Sequence, residues 1–161
     1  MNFFLVRHGE AKSEFEDPSR PLSDKGKQNV EKVASYISKL KIRPDAIHHS
    51  SRLRAEQTAH IISKDLSLSD KVKAVQGMAP NDDVQIAAEA LCVEEQSLML
   101  VGHLPFLSRL LSLLVTGDPE RTLVKFQAGA IVCLSRDDSV KFPAPGKGWI
   151  IEWFLSPGFI R

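Results

Sequence analysis

Phe3-Phe4-Leu5-Val6-Arg7-His8-Gly9-Glu10 is the stretch on which the reading of this chain turns. Four apolar residues run into Arg-His-Gly with no polar break, the pattern of a short strand buried on both faces. A glycine directly behind such a strand lets the backbone turn sharply and come close to a ligand. Open α/β sheets take their ligands at the C-terminal ends of their strands. Arg7 and His8 therefore stand where chemistry is expected.

Working outward, the same grammar recurs twice. Leu98-Met99-Leu100-Val101 is a second apolar run, followed at once by Gly102-His103. Asp45 to Ser50 is a weaker strand leading into Ser50-Ser51-Arg52-Leu53-Arg54. Helices fill the intervals. Ser23 is a good N-cap, with Val30, Val33, Ala34 and Ile37 at helical spacing as far as Leu40. Ala55, Ala59, Ile62 and Leu66 mark a second helix. Val72 to Val75 reads as a short strand and Gly77 to Pro80 as a turn. Asn81 or Asp82 is expected to cap a third helix using Ile86, Ala87, Ala90 and Leu91. Pro105 suits a first helical turn, ahead of Leu107, Leu110, Leu111 and Leu114. Residues 130–134 and 149–154 read as late strands with no helix between them, hence antiparallel. On the last strand Trp149, Ile151 and Trp153 alternate and are expected on one packed face. The alternation over residues 1–115 predicts a three-layer α/β/α sandwich with a mostly parallel sheet and an antiparallel strand near the C-terminus. One domain is expected over 1–161.

Composition excludes several classes. Twenty-one basic and twenty acidic side chains leave a net charge of +1, which gives no general affinity for nucleic acid. No apolar stretch approaches the roughly 18–20 residues a membrane span needs, and the opening run is too short for a signal peptide. Cys92 and Cys133 form no CxxC pair and read as buried thiols of a reducing compartment. A cytoplasmic protein is expected. His48, His49 and His60 have no acidic or thiol partners at metal-ligand spacing, and no metal or cofactor is expected.

The three polar clusters, Arg7-His8, Ser50 to Arg54 and His103, all fall at strand-to-helix turns. In a parallel sheet such turns share one edge and can close on one ligand. Two imidazoles with two or more guanidinium groups suit a phosphoryl dianion, since arginine offers planar paired donors and keeps its charge. Each residue also has a plainer reading, as a hydrogen-bonded histidine or a solvated arginine. Arg52 and Arg54 as mere helix-start residues would oppose the helix dipole, which points to a compensating anion.

These residues carry a resemblance. Arg7-His8-Gly9-Glu10, Leu22-Ser23-Asp24-Lys25-Gly26-Lys27-Gln28, Ser50 to Thr58 and Gly102-His103 stand in the order and places of the motifs of the histidine phosphatase superfamily, the phosphoglycerate mutase-like enzymes. Arg20-Pro21-Leu22 and Leu53-Arg54-Ala55-Glu56-Gln57-Thr58 most resemble its SixA-type phosphohistidine phosphatases. The resemblance spans residues 3–107. It implies a phosphoglycerate mutase-like fold, His8 as a nucleophile that carries the phosphoryl group, and Arg7, Arg54 and His103 as ligands of its oxygens. Arg20 and Gly9 are further candidate substrate contacts. Ser51 stands where the family has proline. Larger relatives also place a glutamate acid after the third strand, where this chain has Gln76-Gly77-Met78-Ala79-Pro80.

The missing acid bears on the substrate. An alkoxide leaving group needs a proton donor, commonly worth roughly 10²–10⁴-fold in rate. A protonated phosphohistidine ring leaves without one. The expected substrate is therefore phosphohistidine in a protein, such as a phosphotransfer domain, reached through a site with little lid. Two alternatives stand beside it: hydrolysis of small phosphate esters, and a phosphate-binding module without turnover.

Overall fold

A computed structural model describes residues 1–161. In chain order it contains β1 (Asn2–Arg7), α1 (Asp24–Lys39), β2 (Ala46–His49), α2 (Leu53–Asp65), β3 (Val72–Ala74), α3 (Val84–Val93), β4 (Leu98–Gly102), α4 (Phe106–Thr116), β5 (Ile131–Arg136) and β6 (Trp149–Leu155). The strands form one sheet in the order β3-β2-β4-β1-β5-β6. Strands β3, β2, β4 and β1 pair in parallel, whereas β5 runs against both β1 and β6. Helices cover both faces, as the alternation of elements implies.

The central strands show why apolar runs were needed. Along β1, Phe3 and Leu5 enter the core beneath α3 and α4, and Phe4 and Val6 enter the core beneath α1 and α2. Along β4, Leu98 and Leu100 take the first side and Met99 and Val101 the second. Both faces of each strand lie in dry core, so no polar residue is tolerated along it. Because β2, β4 and β1 are neighbours, the turns that follow them open at one edge.

Helix α1 starts as expected, with Ser23 Oγ accepting from the Gly26 amide at 3.0 Å. Gly26 sits hard against the turn after β1. A Cβ there would lie 2.0 Å from the Glu10 carbonyl oxygen, which is backbone and cannot swing aside. Gly26→Ala should therefore overpack this contact and cost about 3 kcal/mol of stability. A urea midpoint equal to that of the unaltered protein would show that α1 moves freely over this turn.

Two local expectations are corrected. The cap of α3 is Asp83, whose side chain accepts from the Gln85 amide, while Asp82 instead binds the Ala79 amide in the preceding turn. Its buried face is Val84, Ala88, Leu91 and Cys92, and Ile86 is exposed. Apolar residues surround this helix on nearly every side, so periodicity could not choose the stripe. On β6 the two tryptophans part company. An irregularity opposite Cys133 and Leu134 leaves Glu152 out of the register. Trp149 packs on Phe3 beneath α3 and α4, and Trp153 on Phe4 across the sheet. An extra residue on one strand moves every later side chain to the other face.

Candidate active site

At the C-terminal edge of the sheet the three turns meet. His8 follows β1 directly, with its amide donating to the Gly102 carbonyl of β4 at 3.0 Å. His103 follows β4, and the two imidazole rings lie with centroids 5.0 Å apart. Arg54, in the first turn of α2, donates from Nε toward His8 Nε2 at 3.4 Å. His8 Nδ1 lies 2.7 Å from the Gly9 carbonyl. A carbonyl can only accept, so the ring proton is on Nδ1 and Nε2 keeps a lone pair facing the arginine. Arg7 is anchored by Nη1 to the Phe126 carbonyl at 2.8 Å.

The motif residues around them brace the cluster. Thr58 Oγ1 donates back to the Arg54 carbonyl at 2.7 Å and accepts the Gly9 amide at 3.0 Å. Gln57 accepts the Leu22 amide and so ties α2 to the residue just before the α1 cap. The Gly9 amide is committed to Thr58 Oγ1. The place of this glycine is explained by packing, since a Cβ there would meet Val30 Cγ2 at 2.6 Å.

Ser50 was legible only as part of its cluster, and the structure gives it a definite partner. Its hydroxyl lies 2.5 Å from His103 Nε2, and both side chains are buried. The Arg52 amide points at Ser50 Oγ from 3.4 Å, which leaves the hydroxyl proton for His103 Nε2. The His103 ring proton is then on Nδ1, an atom buried without a protein partner. Arg7 Nε is likewise buried and unpartnered. Two donors of this kind suit an oxyanion, since a buried donor left unpaired costs about 1–3 kcal/mol. The signal for Ser50 was positional: it follows β2 as His8 follows β1 and His103 follows β4.

The electrostatics are one-sided. Burial, opposed by the hydrogen bond to the Gly9 carbonyl, pushes His8 down to about 4, with the charges of Arg54, Arg7 and Arg20 adding to the fall. Burial, then His8, Arg54, Arg52 and Arg20, push His103 down to about 3. No carboxylate is among the charges acting on either ring. Arg20 is thus drawn to the cluster, its Nε held by the Lys12 carbonyl at 3.1 Å and its backbone at φ +48°.

A stability consequence follows, with a definite sign. Below about pH 6.5 the unfolded chain takes protons on these rings, whereas the folded chain refuses them until about pH 4 for His8 and 3 for His103. Their contribution is complete above pH 6.5 and is lost as pH falls through that window. The urea midpoint should drop between pH 7 and pH 5, and His8→Gln should make that drop smaller. An equal drop in the variant would mean that the His8 pocket does not hold its ring neutral.

Fold and site together are those of an α/β protein with paired histidines at the C-terminal edge of its sheet. The chain belongs to the histidine phosphatase superfamily (branch 1), whose profile it matches over residues 3–77. It is similar to the phosphohistidine phosphatase SixA of Escherichia coli K12, at 28% identity over 98% of this chain and 94% of that one. A solved structure of the protein histidine phosphatase SixA complexed with tungstate superimposes with a TM-score of 0.84 at 26% identity, covering 100% of both chains. A phosphoserine phosphatase from Entamoeba histolytica shares the fold, with a TM-score of 0.69 at 17% identity over 96% of each chain.

Proposed function

We propose that this protein is a phosphohistidine phosphatase acting on proteins through a covalent intermediate on His8. The observation that carries the reading is the split role of the His8 ring, with Nδ1 tied to the Gly9 carbonyl and Nε2 turned to Arg54. Neutral imidazole with a fixed tautomer is a ready nucleophile near pH 7. His8 Nε2 forms a bond to phosphorus as the P–N bond of the substrate breaks. The substrate ring, protonated on its remote nitrogen, departs as neutral imidazole. Phosphorylated His8 keeps its Nδ1 proton, and the resulting cationic ring is steadied by the Gly9 carbonyl. Water then attacks phosphorus, the new P–N bond breaks, and inorganic phosphate leaves while its proton passes to solvent. Arg7, Arg54, Arg20 and the Nδ1–H of His103 hold the oxygens as charge spreads across them, which is most of what phosphoryl transfer asks.

Likeness to SixA supports the substrate class, as does the lack of any carboxylate acting on the two rings. The test compares kcat/KM for a phosphohistidine-bearing protein and for alkyl phosphate monoesters. The protein should be preferred by at least tenfold. Faster turnover of the monoesters would replace this reading with that of a small-ester phosphatase, and binding without any turnover would make the protein a phosphate-binding module.

A further inference from the structure

Between His8 and α1 the chain makes a loop that ends in an exposed aromatic. Ala11 and Leu22 pair as an isolated bridge at its base, and the Lys12 amide donates to the Pro21 carbonyl at 2.8 Å. Its tip is held from within. The Ser13 amide binds Glu16 Oε1 and the Glu16 amide binds Ser13 Oγ, both at 3.2 Å, while the Asp17 amide reaches the Ser13 carbonyl at 3.0 Å. The far limb is held too, with Ser19 donating from its amide and hydroxyl to Asp17 Oδ1. Phe15 stands at the tip of this braced turn and touches nothing: it is fully exposed.

Single exposed hydrophobics are ordinary on a protein surface. Phe15 differs in three ways. It is an aromatic side chain carried on a turn already tied in place, so ordering it on contact costs little. Its flanks, Glu14, Glu16 and Asp17, are acidic, whereas the charges that act on His8 are those of Arg54, Arg7 and Arg20. And it is close to the chemistry. Lys12 holds Arg20, whose charge acts on His8, and Phe15 is three residues from Lys12, about 11 Å of chain at most. A protein partner covers about 800 Å² of surface. A folded protein that delivers a side chain to His8 covers enough surface to reach this turn.

Resting on the reading of this protein as a protein phosphohistidine phosphatase, we infer that Phe15 is the docking anchor for its substrate. The occupant is a folded protein with an apolar pocket, rimmed by lysine or arginine, beside its phosphohistidine. The side chains gathered at His8 are ligands for a phosphoryl group, so recognition of the carrier falls to the surface around them. The charge pattern matches: an anionic phosphoryl group meets the arginines, and basic side chains around the pocket meet Glu14 and its neighbours.

The experiment measures kcat/KM on two substrates, free phosphohistidine and a histidine-containing phosphotransfer domain phosphorylated with phosphoramidate. The unaltered enzyme should favour the domain by more than tenfold. Phe15→Ala should lower the value for the domain by about 10- to 30-fold, the scale of an aromatic anchor, and leave free phosphohistidine within twofold. Phe142→Ala, which removes an exposed ring from the β5–β6 connection at the opposite end of the sheet, should change neither. An unchanged value for the domain in Phe15→Ala overturns the anchor, as does an equal fall on both substrates. Inactivity of the unaltered enzyme on both phosphohistidine substrates removes the functional reading itself, and the anchor with it.

Discussion

His8→Ala is expected to lower phosphatase turnover by about 10⁴-fold or more and to abolish transfer of phosphoryl label to the protein. Nothing nearby can stand in for it. The other ring, His103, is 1% exposed, and its Nε2 is engaged by Ser50. Cys92 and Cys133 are both buried, and burial pushes both thiols up, away from the reactive thiolate. The variant should still bind tungstate within a few-fold, because Arg7, Arg54 and His103 remain. That combination separates a lost nucleophile from a lost binding site. Labelling that persists in His8→Ala, or turnover within tenfold of the unaltered enzyme, would place the covalent step elsewhere.

The second large effect belongs to Arg54. Its only side-chain hydrogen bond in the protein is the 3.4 Å approach to His8 Nε2. Arg7, by contrast, is also fastened to the Phe126 carbonyl. Of the two, Arg54 is therefore the guanidinium freer to follow charge onto the oxygens of a moving phosphoryl group. Arg54→Ala should lower kcat/KM by about 10³-fold, and Arg54→Lys should recover little, because an ammonium cannot offer two parallel donors. Burial, then Arg20 and Arg52, pull the Arg54 guanidinium below its usual range. Three cations crowded together oppose folding until an anion arrives. Arg54→Ala should then leave the unliganded protein as stable or more so, while shrinking the rise in Tm that tungstate brings. A variant less stable without ligand would assign Arg54 a structural part, and undiminished kcat/KM would remove it from the site.

Much of this arrangement was legible because burial writes itself plainly. Phe3 to Val6 and Leu98 to Val101 are apolar on both faces because helices cover both faces, so strand ends could be read directly from sequence. Ser23, Ala55, Ala59 and Ile62 declare their helices by cap and spacing. What escaped depended on partners distant in the chain. That Ser50 serves His103, or that Thr58 claims the Gly9 amide, is set by strand order and helix placement, which local pattern does not contain. The same limit explains Trp153. Its alternation with Trp149 is correct as sequence and wrong as geometry, because one residue left out of pairing turns the strand over.

The backbone beneath the reacting groups has one last consequence. His8 and Ser50 are stitched through their amides to β4, and Arg7 through its own to the Ala130 carbonyl. The proposed chemistry is thus tied to the central strands, while the proposed docking contact lies on a protruding turn whose composition bears on none of those ties. Lineages could exchange one client for another by rewriting a handful of outlying positions, with no need to renegotiate the reaction.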